Sequence, residues 1–445
     1  MSYFDVGLPK TSPSSRYVNC ISEQFPNSKR IYKVESSIVN KVTRDHLPCN
    51  GSLIDASIND SYIEFSIAPN QEEFIDCKSF VLELKLKITK ADGTDPDPTK
   101  PISVIDNLGQ RILARSSVFL NGTQTESNSH YGLYNTIKTY LSMGKEDIST
   151  FGRNMFVKHV NTPINETLTD ANMGNMSASE TSISQSCKNI IHLMIPINLD
   201  IASSDFYLIN GVSIRMRFDL SPAKLLLNTP TDEGLKYNIR FAKLWNKKIV
   251  PDQNALISLN RNLVNNNSVI EYIHERPIIK SFVFPQGHNT IVLDDIFHGL
   301  IPHKLILFFI KQENLSGNYS RNGAYLDHCN LSSVRLDINS NQFSCLICNF
   351  PNESANVFHN TLVNIKSEKT LLTYDNFKQG RTIFAWDLST SDCTDVLNLE
   401  KSGNIRLSLQ TGTPLTENTS IYVVGITNGL VELDAGRRVK TSYLM

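Results

Sequence analysis

Three observations predict an all-β chain of two consecutive jelly-roll β-sandwiches (a double jelly roll), with a few short helices in loops. Apolar and polar residues alternate with period two in many short segments, the pattern of a strand with one dry and one wet face. Pro, Gly and Asn punctuate these segments, which favours a sandwich over βαβ units. The same grammar fills both halves of a 445-residue chain, a length too great for one hydrophobic core.

Residues 1–50 are polar, carry Pro9, Pro13, Pro26 and Pro48, and read as an N-terminal arm. A first sandwich is expected over 51–255. Ile63, Phe65 and Ile67 alternate with Tyr62, Glu64 and Ser66, and Leu82, Leu84, Leu86 and Ile88 with Glu83, Lys85 and Lys87. The three prolines of Ala91–Pro101 cannot continue a ladder, so this stretch is a loop. Val118-Phe119-Leu120 runs into Asn121-Gly122, a tight-turn signal. Leu133, Ile137, Tyr140 and Leu141 have helical spacing, and Gly144 closes a helix over Tyr131–Met143. Residues 145–186 read as a long polar loop, a length usually tied to function or an interface. Ile190–Ile197, the alternating Val212, Ile214, Met216 and Phe218, and Tyr237–Ile249 are further strands. The Asn-rich 250–268 reads as a connector.

The second sandwich, 256–445, has strands at Ile278–Phe284, Leu305–Ile310, Val334–Ile338, Thr382–Trp386, Ile405–Leu409 and Ile421–Ile426. Gly299 with Pro302, Pro285 with Gly287, Gly403, and Gly412 with Pro414 turn the chain between them. Glu313–Gly323 is a polar loop.

Composition excludes several functions. With 40% hydrophobic and 20% charged residues the chain is globular. A formal net charge of -1 offers no excess of cations to neutralise phosphates, so sequence-specific nucleic-acid binding is not expected. Arg437-Arg438 with Lys440 is too short for a basic tail. The opening MSYFDVGLPKTSPSS lacks an apolar core, so a protein made inside the cell without a signal peptide is expected. No run reaches the ~18 apolar residues of a spanning helix.

No residue is assigned a catalytic, cofactor-binding or metal role. There is no phosphate loop, nucleophile elbow or His-Glu-x-x-His pair. Of the cysteines Cys20, Cys49, Cys77, Cys187, Cys329, Cys345, Cys348 and Cys393, only Cys345 and Cys348 are close. A three-residue step along a strand puts them on opposite faces, so buried free thiols are expected rather than zinc ligands. His298 and His303 have no acidic partner at ligand spacing. Asp294-Asp295 reads as a turn or cap. The Asp92, Asp95 and Asp97 loop lacks the glycine and terminal glutamate of a calcium loop. Trp245 and Trp386 read as packing residues. Asn-x-Ser/Thr triplets at Asn121, Asn165, Asn318 and Asn418 read as chance in an Asn-rich chain.

Ile102–Gly122 (ISVIDNLGQRILARSSVFLNG) followed by His130–Gly144 (HYGLYNTIKTYLSMG) resembles the double jelly-roll major capsid proteins of Polinton/Maverick elements and adintoviruses, a family with uncharacterised relatives in animal genomes. Ile195–Leu227 is similar to the stretch closing that family's first jelly roll. FHGLIPHKLILFF, Phe297–Phe309, resembles its Phe-x-Gly-x-x-Pro approach to a strand, with Gly317 and Asn322 in its Asn-Gly-rich loop. Tyr374-Asp375-Asn376-Phe377 with Gly380 and Asp387-Leu388-Ser389 resembles its Phe-x-x-Gly then Asp-Leu pattern, and Asn428–Arg438 is also alike. The chain departs from the family at Asn322-Gly323-Ala324, where Asn-Pro-Phe is common, and at Tyr134-Asn135, where Tyr-Arg is common.

The resemblance implies a structural major capsid protein, not an enzyme. Its partners would be itself, as a homotrimer of pseudo-hexagonal outline tiling an icosahedral virion shell, and a minor capsid or penton protein. The alternatives are a minor capsid or vertex protein, a domesticated capsid-derived β-sandwich binding protein, a carbohydrate-binding β-sandwich, and an enzyme on a β-scaffold, for which the sequence offers no residues.

Overall fold

The computed structural model describes residues 38–49, 61–97, 102–158, 164–169, 190–230 except 205, 234–265, 268–389 except 368, and 401–443. Residues 1–37 of the expected arm, Cys20, Cys187 and Cys393, and most of 159–189 lie outside them.

The first sandwich has strands β1 (Ile38–His46), β2 (Tyr62–Ile67), β3 (Phe74–Thr89), β4 (Leu113–Leu120), β5 (Thr123–Asn128), β6 (Ile190–Pro196), β7 (Ile214–Leu220) and β8 (Lys236–Pro251). They form antiparallel sheets in the orders β1-β8-β3-β6 and β2-β7-β4-β5. The second has β9 (Ile270–Phe284), β10 (Thr290–Leu293), β11 (Lys304–Lys311), β12 (Leu331–Ile338), β13 (Asn341–Ile347), β14 (Ile383–Asp387), β15 (Ile405–Thr411) and β16 (Thr419–Leu433). Their orders are β9-β16-β11-β14 and β10-β15-β12-β13. Each strand of the second set holds the place of the strand eight earlier in the first. One jelly-roll topology therefore occurs twice, and the fold is a double jelly roll. A last strand, β17 (Val439–Tyr443), pairs with the end of β16.

The loops between strands carry helices, among them α1 (Leu108–Arg111), α2 (Tyr131–Ser142), α3 (Gln253–Asn265), α4 (Ala355–Ile365) and α5 (Tyr374–Lys378). Helices α2 and α4 occupy the same place in the two sandwiches, between the fifth and sixth strands.

Three apolar cores result. Ile63, Phe65, Leu82, Leu84, Met216 and Phe218 fill the first sandwich. Leu305, Leu307, Phe309, Phe384, Trp386 and Ile421 fill the second. A third lies between the sandwiches. There Leu133, Ile137, Tyr140 and Leu141 of α2 pack on Ile306, Phe308 and Ile310 of β11 and on Tyr422, Val424 and Ile426 of β16. This explains why Leu305–Ile310 is apolar at every position: alternate residues enter different cores, and both faces of β11 are dry.

Two expectations need correction. The end of the expected arm, Ile38–His46, is a strand, paired along β8. It forms a sheet edge with mostly exposed side chains, so no apolar alternation marks it. The expected connector 250–268 contains the 13-residue α3, and the boundary placed between 255 and 256 falls inside that helix. Leu259 and Leu263 seat α3 on the first core, and the many asparagines hide this sparse stripe.

Candidate functional site

The residues singled out in the sequence do not converge. Asp295 Oδ1 accepts the Gly299 N–H at 3.0 Å, the turn role expected of the Asp pair, and Asp294 pairs with Arg406 at 3.2 Å. Exposed His298 lies 3.7 Å from Asp295, while burial holds His303 below the ordinary imidazole range. Asp92 accepts from Thr94, and Asp95 pairs with Lys87 at 3.0 Å. Among the described residues no group of three His, Cys, Asp or Glu side chains could hold a metal ion.

Trp386 is in the second core, whereas half-buried Trp245 donates to Glu83 Oε2 at 2.9 Å on the outer face of β8. Cys77, Cys329 and Cys348 are buried free thiols, and burial pushes Cys348 up to about 11. Cys49 and Cys345 depart from the expectation: both are exposed, Cys345 on the edge strand β13. Asn121, Asn318 and Asn418 each accept a backbone N–H through their side chains, from Ser213, Ser320 and Gln286. The Asn318 contact is a local Asx turn, and the other two tie segments 92 and 132 positions apart.

The most deeply buried ion pair among the described residues carries no mark in the sequence. It lies at the junction of the two sandwiches. Asn107, at φ 56°, breaks the chain before α1 and leaves Asp106 fully buried behind it. Arg381, just before β14, sends Nη2 to Asp106 Oδ2 at 2.7 Å. Tyr140 of α2 donates its hydroxyl to the same oxygen at 2.8 Å, and the Lys158 N–H donates to Oδ1 at 2.7 Å. The guanidinium lies over the Tyr140 ring, 4.6 Å from its centroid. Burial pulls the Arg381 pKa down, but the Asp106 charge outweighs it and the net shift is upward. Burial, then the Asp106 charge, drives Tyr140 well above the ordinary phenol range. The group is thus a buried ion pair that bridges the sandwiches.

A second cluster pins segment 164–169 of the first sandwich to the second. Lys311 reaches Glu166 at 2.9 Å and Asp327 at 3.4 Å. Arg321 reaches Glu166, Glu313 and Glu417. Burial opposes the charge on Lys311, but these carboxylates raise its pKa. Backbone bonds Leu168 N to Ser320 O and Asn322 N to Glu166 O complete the seam. Segment 164–169, part of the long polar loop expected over 145–186, thus joins the two sandwiches.

A buried carboxylate, Glu126 of β5, accepts from Ser116 Oγ at 2.9 Å and from Asp200 N at 2.8 Å. Burial pushes it up to about 6 despite those bonds. Burial and the Glu126 charge push Asp200 well above the ordinary carboxylate range. Each of these three polar clusters fastens one part of the fold to another.

A chain with two copies of one jelly roll, fastened by a dry helix and a buried ion pair, belongs to the class of double jelly-roll folds. Solved structures similar to this chain include viral capsid proteins. The chain is similar to the mavirus major capsid protein, with TM-score 0.53 and 9% identity over 94% of this chain and 93% of that one. It is similar to the PBCV-1 virus capsid, with TM-score 0.57 and 11% identity over 93% and 99%. It is also similar to the Faustovirus major capsid protein, with TM-score 0.56 and 11% identity over 94% and 97%. The sequence matches no protein-family model and no curated protein. No helix among the described residues is long and apolar enough to cross a membrane.

Proposed function

We propose that this chain is a viral major capsid protein, a structural unit that self-assembles into homotrimers of pseudo-hexagonal outline tiling an icosahedral shell. One observation carries the reading: the duplicated topology is colinear with capsid chains over nearly the whole length of both partners. Two equivalent sandwiches per chain give six around a three-fold axis, so identical copies can fill a six-neighbour lattice. The sequence motifs from Ile102 to Gly144 and Phe297 to Phe309 favour the Polinton/adintovirus branch. The N-terminal arm, a penton partner and a virion location belong to the same reading.

A minor capsid or vertex protein needs one jelly roll, and the chain has two. A carbohydrate-binding β-sandwich would give measurable affinity on a glycan array. The deciding experiment is light scattering with negative-stain imaging of purified protein. Particles or trimers support the capsid reading, and a stable monomer at high concentration overturns it.

A further inference from the structure

Two arginines enter the joint between the sandwiches, and one carboxylate serves them. Asp106 is taken by Arg381 at 2.7 Å, by the Tyr140 hydroxyl and by the Lys158 N–H. Arg111, the last residue of α1, is left with a neutral partner: its Nη2 donates to the Gly323 carbonyl oxygen at 2.9 Å. That is the one acceptor its guanidinium meets among the described residues. A guanidinium has about five N–H donors to satisfy. Burial lowers the pKa of both arginines. The Asp106 charge reverses the fall for Arg381, but Tyr140, Tyr422 and Asp106 do not reverse it for Arg111.

Further donors gather round Arg111. Its Nη2 and the Asn314 carbonyl oxygen lie 3.5 and 3.1 Å from the point where a Cβ on Gly323 would stand, so Arg111 and Asn314 meet at this glycine. Asn314 is 1% exposed, and neither of its amide atoms has a hydrogen-bond partner. Tyr422, 7% exposed, stacks on the Phe308 ring at 5.2 Å with His130 edge-on at 5.5 Å. Its hydroxyl makes no hydrogen bond among the described residues, and burial raises its pKa, so it keeps its proton. Arg111 comes from the first sandwich, Asn314 and Tyr422 from the second. An uncompensated cation and an unpartnered buried amide each cost free energy that a hydrogen-bond acceptor would recover. The surplus here is of donors and of positive charge, so the group that fits is an anion. A guanidinium fork matches two oxygens of one carboxylate or phosphate.

We propose that Arg111, Asn314 and Tyr422 form a binding site for a small oxyanion, a carboxylate or phosphate group, seated between the two sandwiches. Bound there, the anion supplies the charge that Asp106 gives to Arg381 alone. It ties the first sandwich to the second beside that ion pair, so the firmness of the joint depends on the anions in the medium.

Differential scanning fluorimetry of the purified full chain reads the effect, with chloride replaced stepwise by phosphate or by acetate at constant pH and ionic strength. The melting midpoint is expected to rise and saturate, by about 3–5 °C at a hundredfold excess over the dissociation constant. Isothermal titration calorimetry then separates the two groups: phosphate alone assigns a phosphate, acetate alone a carboxylate. Arg111→Gln keeps a donor for the Gly323 carbonyl and removes the charge. It is expected to abolish the rise, and to melt no lower than the wild type in chloride because the charge it removes is uncompensated. Asn314→Leu is expected to weaken binding by about tenfold, the loss of one hydrogen bond to a charged group. Arg335→Gln, at an arginine already paired with Asp337, is expected to keep the full response. The site is overturned if neither ion raises the midpoint, or if Arg111→Gln responds as the wild type does. Should Arg111→Gln fail to fold, an unchanged affinity in Asn314→Leu overturns it equally.

Discussion

Removing the Asp106 carboxylate should damage this protein more than almost any other polar substitution. In Asp106→Ala the Arg381 guanidinium stays in a site where its side chain is 1% exposed, with its counter-ion gone. Its Nε and Nη1 already lack hydrogen-bond partners, so Nη2 would keep only the Lys158 carbonyl at 3.3 Å. Stranding one member of a buried pair costs about 3–5 kcal/mol. For a sandwich of ~200 residues the unfolding entropy is about 0.4 kcal/mol/K, so the melting midpoint should fall by about 10 °C. The reverse substitution is milder. Arg381→Met leaves Asp106 accepting from Tyr140 and from Lys158 N–H, two of its three donors. Asp106→Leu with Arg381→Met removes both charges and should recover most of the loss, because apolar replacements of a buried pair are often neutral or better. Differential scanning calorimetry of the two singles and the double is the assay. A fall under about 2 °C for Asp106→Ala, or a double mutant as unstable as the summed singles, would refute the reasoning.

Two further outcomes are expected. A Cβ at Gly132, in the first turn of α2, would collide with the Leu113 carbonyl oxygen, a backbone atom that cannot swing aside. Gly132→Ala should cost at least about 1–3 kcal/mol in urea unfolding despite the better helix propensity of alanine. Glu126 should make stability depend on pH. Its folded pKa, about 6, lies above the ordinary glutamate range, so the fold takes up a proton that the unfolded chain does not. Its contribution should therefore rise as pH falls through about 6 and level off below the ordinary range. The span is about 2 kcal/mol, and Glu126→Gln should flatten that part of a melting-versus-pH curve.

Strands facing one core and water were legible as a sequence, because the alternation of Leu82 to Ile88 or Ile214 to Phe218 is a direct print of their burial. The turn at Asn121-Gly122 was legible too: both residues have positive φ, as a tight hairpin requires. Strand β1 was not, since a wet edge leaves no periodic trace. The ion pair was hidden for a different reason. Asp106 and Arg381 are 275 positions apart, and a lone Asp or Arg in a turn carries no mark of burial. The same holds for Lys311 with Glu166, 145 positions apart. Topology creates such pairs, and one sequence without its fold does not declare them. The helix α2 was legible, but its docking on the second sandwich was not.

Strands β9 and β16 run past their own sandwich. Ile270 and Tyr272 at one end, with Val431 and Leu433 beside them, sit in the first core, where the Tyr272 hydroxyl donates to Tyr207 O. A ribosome makes the first sandwich long before it reaches Val431. The early-made half therefore cannot seal while the chain is still emerging, and its exposed apolar seam must wait for the final strands. Truncated or stalled products would carry that open seam, and only a finished chain presents a closed unit. Completion of synthesis thus decides when the first sandwich becomes a closed unit.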